Sequence, residues 1–345
     1  MKFLSDRALD RLRAGAAAPD LTGTRYRLIG PVARGGMGVV YAAEDLQLGR
    51  RVALKVLDLP DTNGTLADRL VREARVLGQL EHPGVVPVHD VGRLADDRVY
   101  YTMKFVEGRR LDEHVKGVDL IPDRLRIFLR ICEAVAFAHA RGVLHRDLKP
   151  ANVMVGPFGE VLVMDWGLAK LLRETSHSRD QGETLIAGAG ASRAAPVADP
   201  ATEVDEPQTA HGAVLGTPGY MAPEQARGDV ANLDQRADIY SLGAILRFLL
   251  AGQQPGDSNA GPAGVPRPLA AIYAKAMAQD LIARYTTVGE LSADVSRYLD
   301  GFPVEAYPER LRDKLERLYA RHHVAILLIV AYLTLRLLLL ILTRR

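Results

Sequence analysis

The 345-residue sequence contains a single cysteine, Cys132. One cysteine cannot form an intrachain disulfide, which fits a protein of a reducing compartment. The chain also lacks a large excess of either positive or negative charge. It has 44 basic and 42 acidic residues, which give a formal net charge of +2. This balance gives no indication of a nucleic-acid partner. Cys132 itself stands in an apolar helical pattern with Ile131 and Val135, so we expect it to be buried.

The pattern of apolar residues changes along the chain. Residues 1–25 read as a short N-terminal helix followed by an Ala/Pro linker. From residue 26 to about 103, short β-rich runs alternate with turns, and leucines at helical spacing predict one helix at about 65–80. After Gly108, helical patterns dominate. These patterns predict helices at 123–140, 235–251, 268–279 and 288–299.

The most informative segment is His145-Arg146-Asp147-Leu148-Lys149-Pro150-Ala151-Asn152, with Asp165-Trp166-Gly167 following it. Phosphoryl transfer needs a carboxylate beside the attacking hydroxyl and oxygen ligands that hold Mg²⁺ against nucleotide phosphates. Asp147 suits the first role, and Asn152 and Asp165 suit the second. The order and spacing of these residues resemble the catalytic loop and the metal-binding triplet of the protein kinase family.

This resemblance covers about residues 26–300 and implies an α+β fold with two lobes. A small β-rich N-lobe (26–103) would precede a larger helical C-lobe (104–300), with the nucleotide in the cleft between them. The family's activation segment would run from 165 to 224. Within it, residues 172–213 lack periodic apolar content, so we expect them to be disordered. The implied cofactors are ATP and Mg²⁺, which Mn²⁺ could replace.

The resemblance extends to the parts of the kinase family that bind ATP. The glycine-rich stretch 33–40 resembles the phosphate-covering loop, although Ala33 stands at the family's first glycine and a plain hairpin would look similar. In residues 103–106, Met103 would be the gatekeeper beside a hinge that binds adenine through its backbone. The residues implied to bind ATP are Ala33, Arg34, Gly35, Gly36, Met37, Gly38, Val40, Ala53, Lys55, Met103, Lys104 and Val106.

Four residues are implied to be catalytic. Lys55 would pair with the α- and β-phosphates, and Glu73 would hold Lys55 in place. Asp147 would accept the proton of the attacking hydroxyl. Lys149, which would neutralise γ-phosphate charge, matches the serine/threonine branch of the family. Thr217, within Gly216–Glu224, would position the peptide substrate by contacting Asp147 and Lys149.

Other residues of these motifs are expected to have structural roles. We predict an ion pair between Glu224 and Arg284, and we expect Asp238 to brace the backbone of the catalytic loop. His145 is predicted to be a packed histidine. Trp166 replaces the phenylalanine usual in the family, and we expect it to occupy a packing position.

The 19 residues from Val324 to Leu342 are apolar apart from Tyr332, Thr334 and Arg336. This length matches the hydrocarbon core of a bilayer. Its aliphatic residues together favour insertion by about 4–8 kcal/mol, against about 3 kcal/mol for one central arginine. We therefore predict a transmembrane helix at 324–342, after a basic juxtamembrane segment at 301–323. The positive-inside rule then predicts a single-pass protein of the cell membrane, with the N-terminal part in the cytoplasm.

The leading hypothesis is a membrane-anchored, bacterial Hanks-type (eukaryotic-like) serine/threonine protein kinase. The stretches Met-Ala-Pro-Glu-Gln and Phe-Pro-Val-Glu-Ala-Tyr-Pro-Glu-Arg resemble such bacterial kinases. The expected partners are ATP, protein substrates, the lipid bilayer and a second copy of the chain, with autophosphorylation and without nucleic acid. The alternative is a pseudokinase that binds ATP or acts as a membrane scaffold. Three departures from the family pattern motivate it: Ala33, Trp166 and a shortened segment after Gly252.

Overall fold

The computed structural model describes residues 18–35, 38–57, 64–166, 170–171, 219–228, 233–252, 264–308 and 327–336. Gly36, Met37, Thr217 and the expected disordered stretch 172–213 lie outside these ranges. Within them, a β-sheet forms one lobe and a set of helices after it forms a second lobe, as the sequence predicts.

The first lobe is a five-stranded antiparallel sheet in the order β1-β2-β3-β5-β4. Its strands are β1 (Tyr26–Gly35), β2 (Gly38–Asp45), β3 (Arg50–Val56), β4 (Val88–Arg93) and β5 (Val99–Lys104). Residues Val52 to Val56 of β3 are all buried, because β3 lies in the middle of the sheet with side chains packed on both of its faces. One of these buried residues is Lys55.

Helix α1 (Thr65–Gln79) packs against the sheet, with most contacts to β5 and β4. Leu70, Ala74 and Leu77 are buried at helical spacing and form its apolar face. Glu73 lies beside this face and is also buried. The same helical periodicity that packs the leucines against the sheet therefore also buries the carboxylate of Glu73.

The second lobe is mainly helical. Its helices are α2 (Leu111–His114), α3 (Ile121–Ala140), α4 (Pro223–Ala226), α5 (Gln235–Ala251), α6 (Arg267–Ala276) and α7 (Val288–Leu299). The central helix α3 packs against α5 and α7, and its residues Leu125, Phe128 and Ile131 are fully buried. Cys132 is buried beside them, so its predicted burial is confirmed.

Short strands connect the helices to the catalytic region. They are β6 (Arg109–Arg110), β7 (Val143–Leu144), β8 (Val153–Val155), β9 (Val161–Val163) and β10 (Lys170–Leu171). Strands β8 and β9 form a hairpin in which Val153 pairs with Val163. Asn152 precedes one strand and Asp165 follows the other, so the hairpin brings both residues to the same end.

Residues after α7 fold back onto the helical lobe. Asp294 is fully buried, and its carboxylate accepts hydrogen bonds from the backbone N–H groups of Glu305 at 2.7 Å and Ala306 at 3.0 Å. The Tyr285 hydroxyl also donates to it at 2.8 Å. Burial alone would raise the pKa of Asp294, but these hydrogen bonds outweigh burial and lower it. Part of the predicted juxtamembrane segment is thus fixed to the catalytic lobe.

Ten residues of the predicted transmembrane helix, 327–336, are described, and all ten are helical with exposed side chains. Leu328 is 66% exposed and Leu335 is 60% exposed. None of the helices in the described ranges combines the length and the apolar character that a bilayer crossing requires.

Candidate active site

Lys55 is held by the carboxylate of Glu73. The Lys55 Nζ atom lies 2.8 Å from Glu73 Oε1 and 3.0 Å from Oε2, and 3.4 Å from Asp165 Oδ1. Burial alone would lower the pKa of Lys55, but the two carboxylates outweigh it and raise this pKa above its ordinary value. The ammonium group therefore keeps its charge, which is the state that binds phosphate oxygens.

The catalytic loop joins Asp147, Lys149 and Asn152 through hydrogen bonds. Lys149 Nζ donates to Asp147 Oδ2 at 2.7 Å. Asn152 Nδ2 donates to the same oxygen at 3.1 Å and to the Asp147 backbone oxygen at 2.8 Å. These contacts fix the direction of the Asp147 carboxylate and leave its Oδ1 atom to accept a proton.

Asp238, on α5, braces the backbone of this loop as predicted. Its carboxylate accepts hydrogen bonds from the backbone N–H groups of His145 at 2.9 Å and Arg146 at 2.8 Å, and it lies 2.7 Å from His139 Nε2. Burial would raise the pKa of Asp238, but these partners outweigh burial and lower it. The carboxylate stays charged and holds Arg146 at a left-handed φ of +69°, a strained backbone conformation that needs such support.

Asp165 stands at a sharp turn after β9. Its φ of +57° lies in the left-handed region, which costs roughly 1 kcal/mol for a residue other than glycine. Trp166 follows it and is 1% exposed, so its predicted packing position is confirmed. The Trp166 ring lies 4.6 Å from the ring of His145, and His145 Nε2 lies 3.0 Å from the Met164 backbone oxygen. His145 is fully buried and has the packing role predicted for it.

Asn152 and Asp165 present oxygen atoms that suit Mg²⁺. The Met164 N–H donates to the Asn152 backbone oxygen at 2.8 Å, which places Asp165 one residue further along. The Asn152 amide nitrogen is used by Asp147, so its amide oxygen is left for a cation. The Asp165 side chain is 51% exposed and can reach an ion in the cleft. A carboxylate and an amide oxygen beside phosphate groups are ligands that Mg²⁺ accepts.

The described residues of the glycine-rich stretch lie at the paired ends of β1 and β2. Ala33 pairs with Val40, Arg34 with Val39, and Gly35 with Gly38. A Cβ atom at Gly38 would collide with the Val56 backbone oxygen, so the close approach of β2 to β3 requires a glycine at this position. This structural reason for Gly38 is separate from phosphate binding, which remains a prediction for these residues.

The predicted hinge follows β5. Met103 is buried and pairs with Ala53 across the sheet, so two of the residues predicted to bind ATP are neighbours. The Lys104 N–H donates to the Pro87 backbone oxygen at 3.0 Å. Adenine binding through the backbone of Lys104 and Val106 stays a prediction.

Beyond the undescribed Thr217, the end of the activation segment is fixed by two contacts. Arg284 donates to Glu224 with Nη1 at 2.7 Å and Nη2 at 2.9 Å, and both residues are buried, so the predicted ion pair is confirmed. Gln225 Nε2 donates to the backbone oxygen of Arg146. No local sequence pattern predicts this partner of Gln225, which lies 79 residues away along the chain.

Comparisons with known proteins show the family to which the chain belongs. Residues 26–292 match the protein kinase domain family. The chain is 36% identical over 312 residues to serine/threonine-protein kinase PknD of Protochlamydia amoebophila, covering 80% of this chain and 30% of that protein. It is 37% identical over 319 residues to PknD of Chlamydia felis, covering 81% and 31%. The chain therefore spans less than a third of the length of these curated relatives.

Among solved structures, the kinase domain of Mycobacterium tuberculosis PknI superimposes with a TM-score of 0.55 at 25% identity, covering 80% of this chain and 96% of that chain. Fold, site and comparisons lead to one conclusion. The chain belongs to the protein kinase family. Its kinase domain is of the bacterial Hanks-type serine/threonine class.

Proposed function

We propose that the chain transfers the γ-phosphoryl group of ATP to serine or threonine hydroxyls of proteins, including its own. The observation that carries this proposal is the Lys55–Glu73 ion pair at 2.8 Å, with Asp165 Oδ1 3.4 Å from the same ammonium. An active kinase needs this pair and the metal-binding aspartate in place together. Because Lys55, Glu73 and Asp165 lie together in this way, the site favours an active enzyme over the pseudokinase alternative.

Each residue of the site has a part in this chemistry. Lys55 would bind phosphate oxygens with an ammonium that the two carboxylates keep charged. Asp147 would orient the attacking hydroxyl and take its proton, and Lys149, 2.7 Å from Asp147, would face the transferred group. Asn152 and Asp165 would hold Mg²⁺, or Mn²⁺ in its place. The bound cation neutralises charge on the phosphates.

The test uses the full chain with γ-³²P-labelled ATP, Mg²⁺ and casein as a general acceptor. We expect label on casein and on the kinase itself, recovered as phosphoserine and phosphothreonine after acid hydrolysis. Removal of Mg²⁺ with EDTA should abolish the label, because Asn152 and Asp165 then hold no cation. Absence of label on both proteins, or recovery mainly as phosphotyrosine, would contradict the proposal.

We further propose that residues 324–342 anchor the kinase in the cell membrane, with the catalytic domain in the cytoplasm. The support is the 19-residue apolar run and the exposed apolar side chains of its helical part, such as Leu328 and Leu333. Exposed leucines along a helix are stable in lipid and costly in water. A second copy of the chain could pair with such a helix, which would bring two kinase domains together.

Replacing Leu328 and Leu333 by arginine is expected to release the chain from membranes. Each arginine adds up to about 3 kcal/mol to the cost of insertion, so the two together with Arg336 approach the whole gain from the aliphatic residues. The measurement is the fraction that stays in the membrane pellet after carbonate extraction. The matched control replaces Leu328 and Leu333 by valine and should stay in the pellet. Equal extraction of the wild-type chain and the arginine variant would refute the anchor.

A further inference from the structure

A buried tyrosine hydroxyl makes an additional hydrogen bond to the carboxylate that holds Lys55. Tyr101 lies on β5 directly opposite Lys55 on β3. Its hydroxyl donates to Glu73 Oε1 at 2.8 Å, and the Lys55 ammonium lies 5.8 Å from the centre of its ring. Tyr101 is 1% exposed and Glu73 is 2% exposed, so water does not compete for these bonds.

The two Glu73 oxygens thus accept three hydrogen bonds, one from Tyr101 and two from Lys55. Burial and the neighbouring carboxylate raise the pKa of Tyr101 well above its ordinary value, so the hydroxyl stays protonated and remains a donor. If α1 moved and withdrew Glu73, the hydroxyl would be left buried without this partner. An unsatisfied buried donor is costly, and the cost opposes such a movement.

We propose that Tyr101 is a positioning residue that holds Glu73, and through Glu73 also Lys55, in the arrangement that binds nucleotide phosphates. This inference rests on the proposed kinase function and assigns no contact between Tyr101 and the nucleotide. Tyr101 acts on the orientation of α1, because Glu73 is the only described residue of that helix to which its hydroxyl donates.

The first test compares Tyr101→Phe with Tyr100→Phe in the full chain. Tyr100 is the neighbouring residue of the same strand, and its ring packs near Tyr26 on the other face of the sheet, with 6.1 Å between centroids. We expect Tyr101→Phe to lower kcat/KM for ATP by about tenfold, because a hydrogen bond to a charged group is lost. Tyr100→Phe should leave kcat/KM essentially unchanged.

The second test separates positioning from general stability. In a Glu73→Ala background the hydroxyl has lost its partner, so adding Tyr101→Phe should cause no further fall in kcat/KM. Amide hydrogen exchange should show faster exchange in α1 for Tyr101→Phe than for Tyr100→Phe, with a smaller difference between the two variants in α3. The proposal is overturned if Tyr101→Phe lowers kcat/KM equally in both backgrounds, or if α1 exchanges alike in the two single variants.

Hydrogen exchange also distinguishes this inference from the proposed function. If the wild-type chain transferred no phosphate, the kinase proposal would fail. The exchange rates of α1 in the two phenylalanine variants would still decide whether Tyr101 holds that helix, since they need no catalytic activity.

Discussion

Replacing Asp147 by asparagine is expected to lower the rate of phosphoryl transfer about a thousandfold. The amide keeps the size of the carboxylate but cannot take the proton of the attacking hydroxyl. The substitution also removes the negative charge that pairs with Lys149, whose Nζ atom lies 2.7 Å from Asp147 Oδ2 in the wild-type chain. Incorporation of ³²P into casein under single-turnover conditions measures the effect.

Binding of Mg²⁺-ATP should persist in this variant, because Lys55 and Asp165 are unchanged. Calorimetric titration with Mg²⁺-ATP should therefore give a dissociation constant close to that of the wild-type chain. The matched control is Asp123→Asn, since Asp123 is 49% exposed and pairs with Arg126 on the surface. If Asp147→Asn phosphorylated casein as fast as Asp123→Asn, the role of Asp147 would be disproved.

Replacing Glu224 by alanine is expected to lower the free energy of unfolding by about 3–5 kcal/mol. The change leaves the Arg284 guanidinium, whose side chain is 0% exposed, without its charged partner. Glu107→Ala is the control, because Glu107 is 72% exposed and lies 3.8 Å from Arg51. That control should cost less than about 1 kcal/mol. Urea unfolding followed by circular dichroism measures both variants.

The stabilisation by Glu224 should also depend on pH. Burial alone would raise the pKa of Glu224, but the hydrogen bonds from Arg284 outweigh burial and lower it. A carboxyl group with a lowered pKa stabilises the fold above its unfolded pKa of about 4.3 and ceases to do so as the pH falls. The difference between the wild-type chain and Glu224→Ala should therefore shrink below about pH 4. A difference that stays constant with pH would contradict the ion-pair explanation.

The sequence predicts the helices well where apolar periodicity and local end signals agree. The helix predicted at 235–251 is observed as Gln235–Ala251, since Asp234 caps its start and Gly252 ends it at a positive φ of +68°. The helix predicted at 268–279 ends earlier, at Ala276. Arg284 Nε donates to the Ala278 backbone oxygen at 2.7 Å, and the sequence gives no local sign of this distant contact.

In the active site, too, some contacts between residues that are distant in the sequence could not be predicted. Lys55, Asp147 and Asp165 stand in recognisable motifs, so their neighbourhood could be predicted from the sequence. The hydrogen bond from Tyr101 to Glu73 joins β5 to α1, and the two residues are 28 positions apart in the sequence. Tyrosine is common in strands for packing reasons alone, so no local pattern marks this residue as a partner of Glu73.

The buried carboxylate of Asp294 also sets how far a tethered kinase domain can reach. Because it secures the backbone at Glu305 and Ala306, the free length of the chain starts after this point and not at the end of α7. At full extension the 18 residues 309–326 span at most about 65 Å between Pro308 and Leu327, and any folded stretch would shorten this reach. If residues 324–342 form the proposed anchor, this length sets the greatest distance from the lipid surface at which the kinase domain could act.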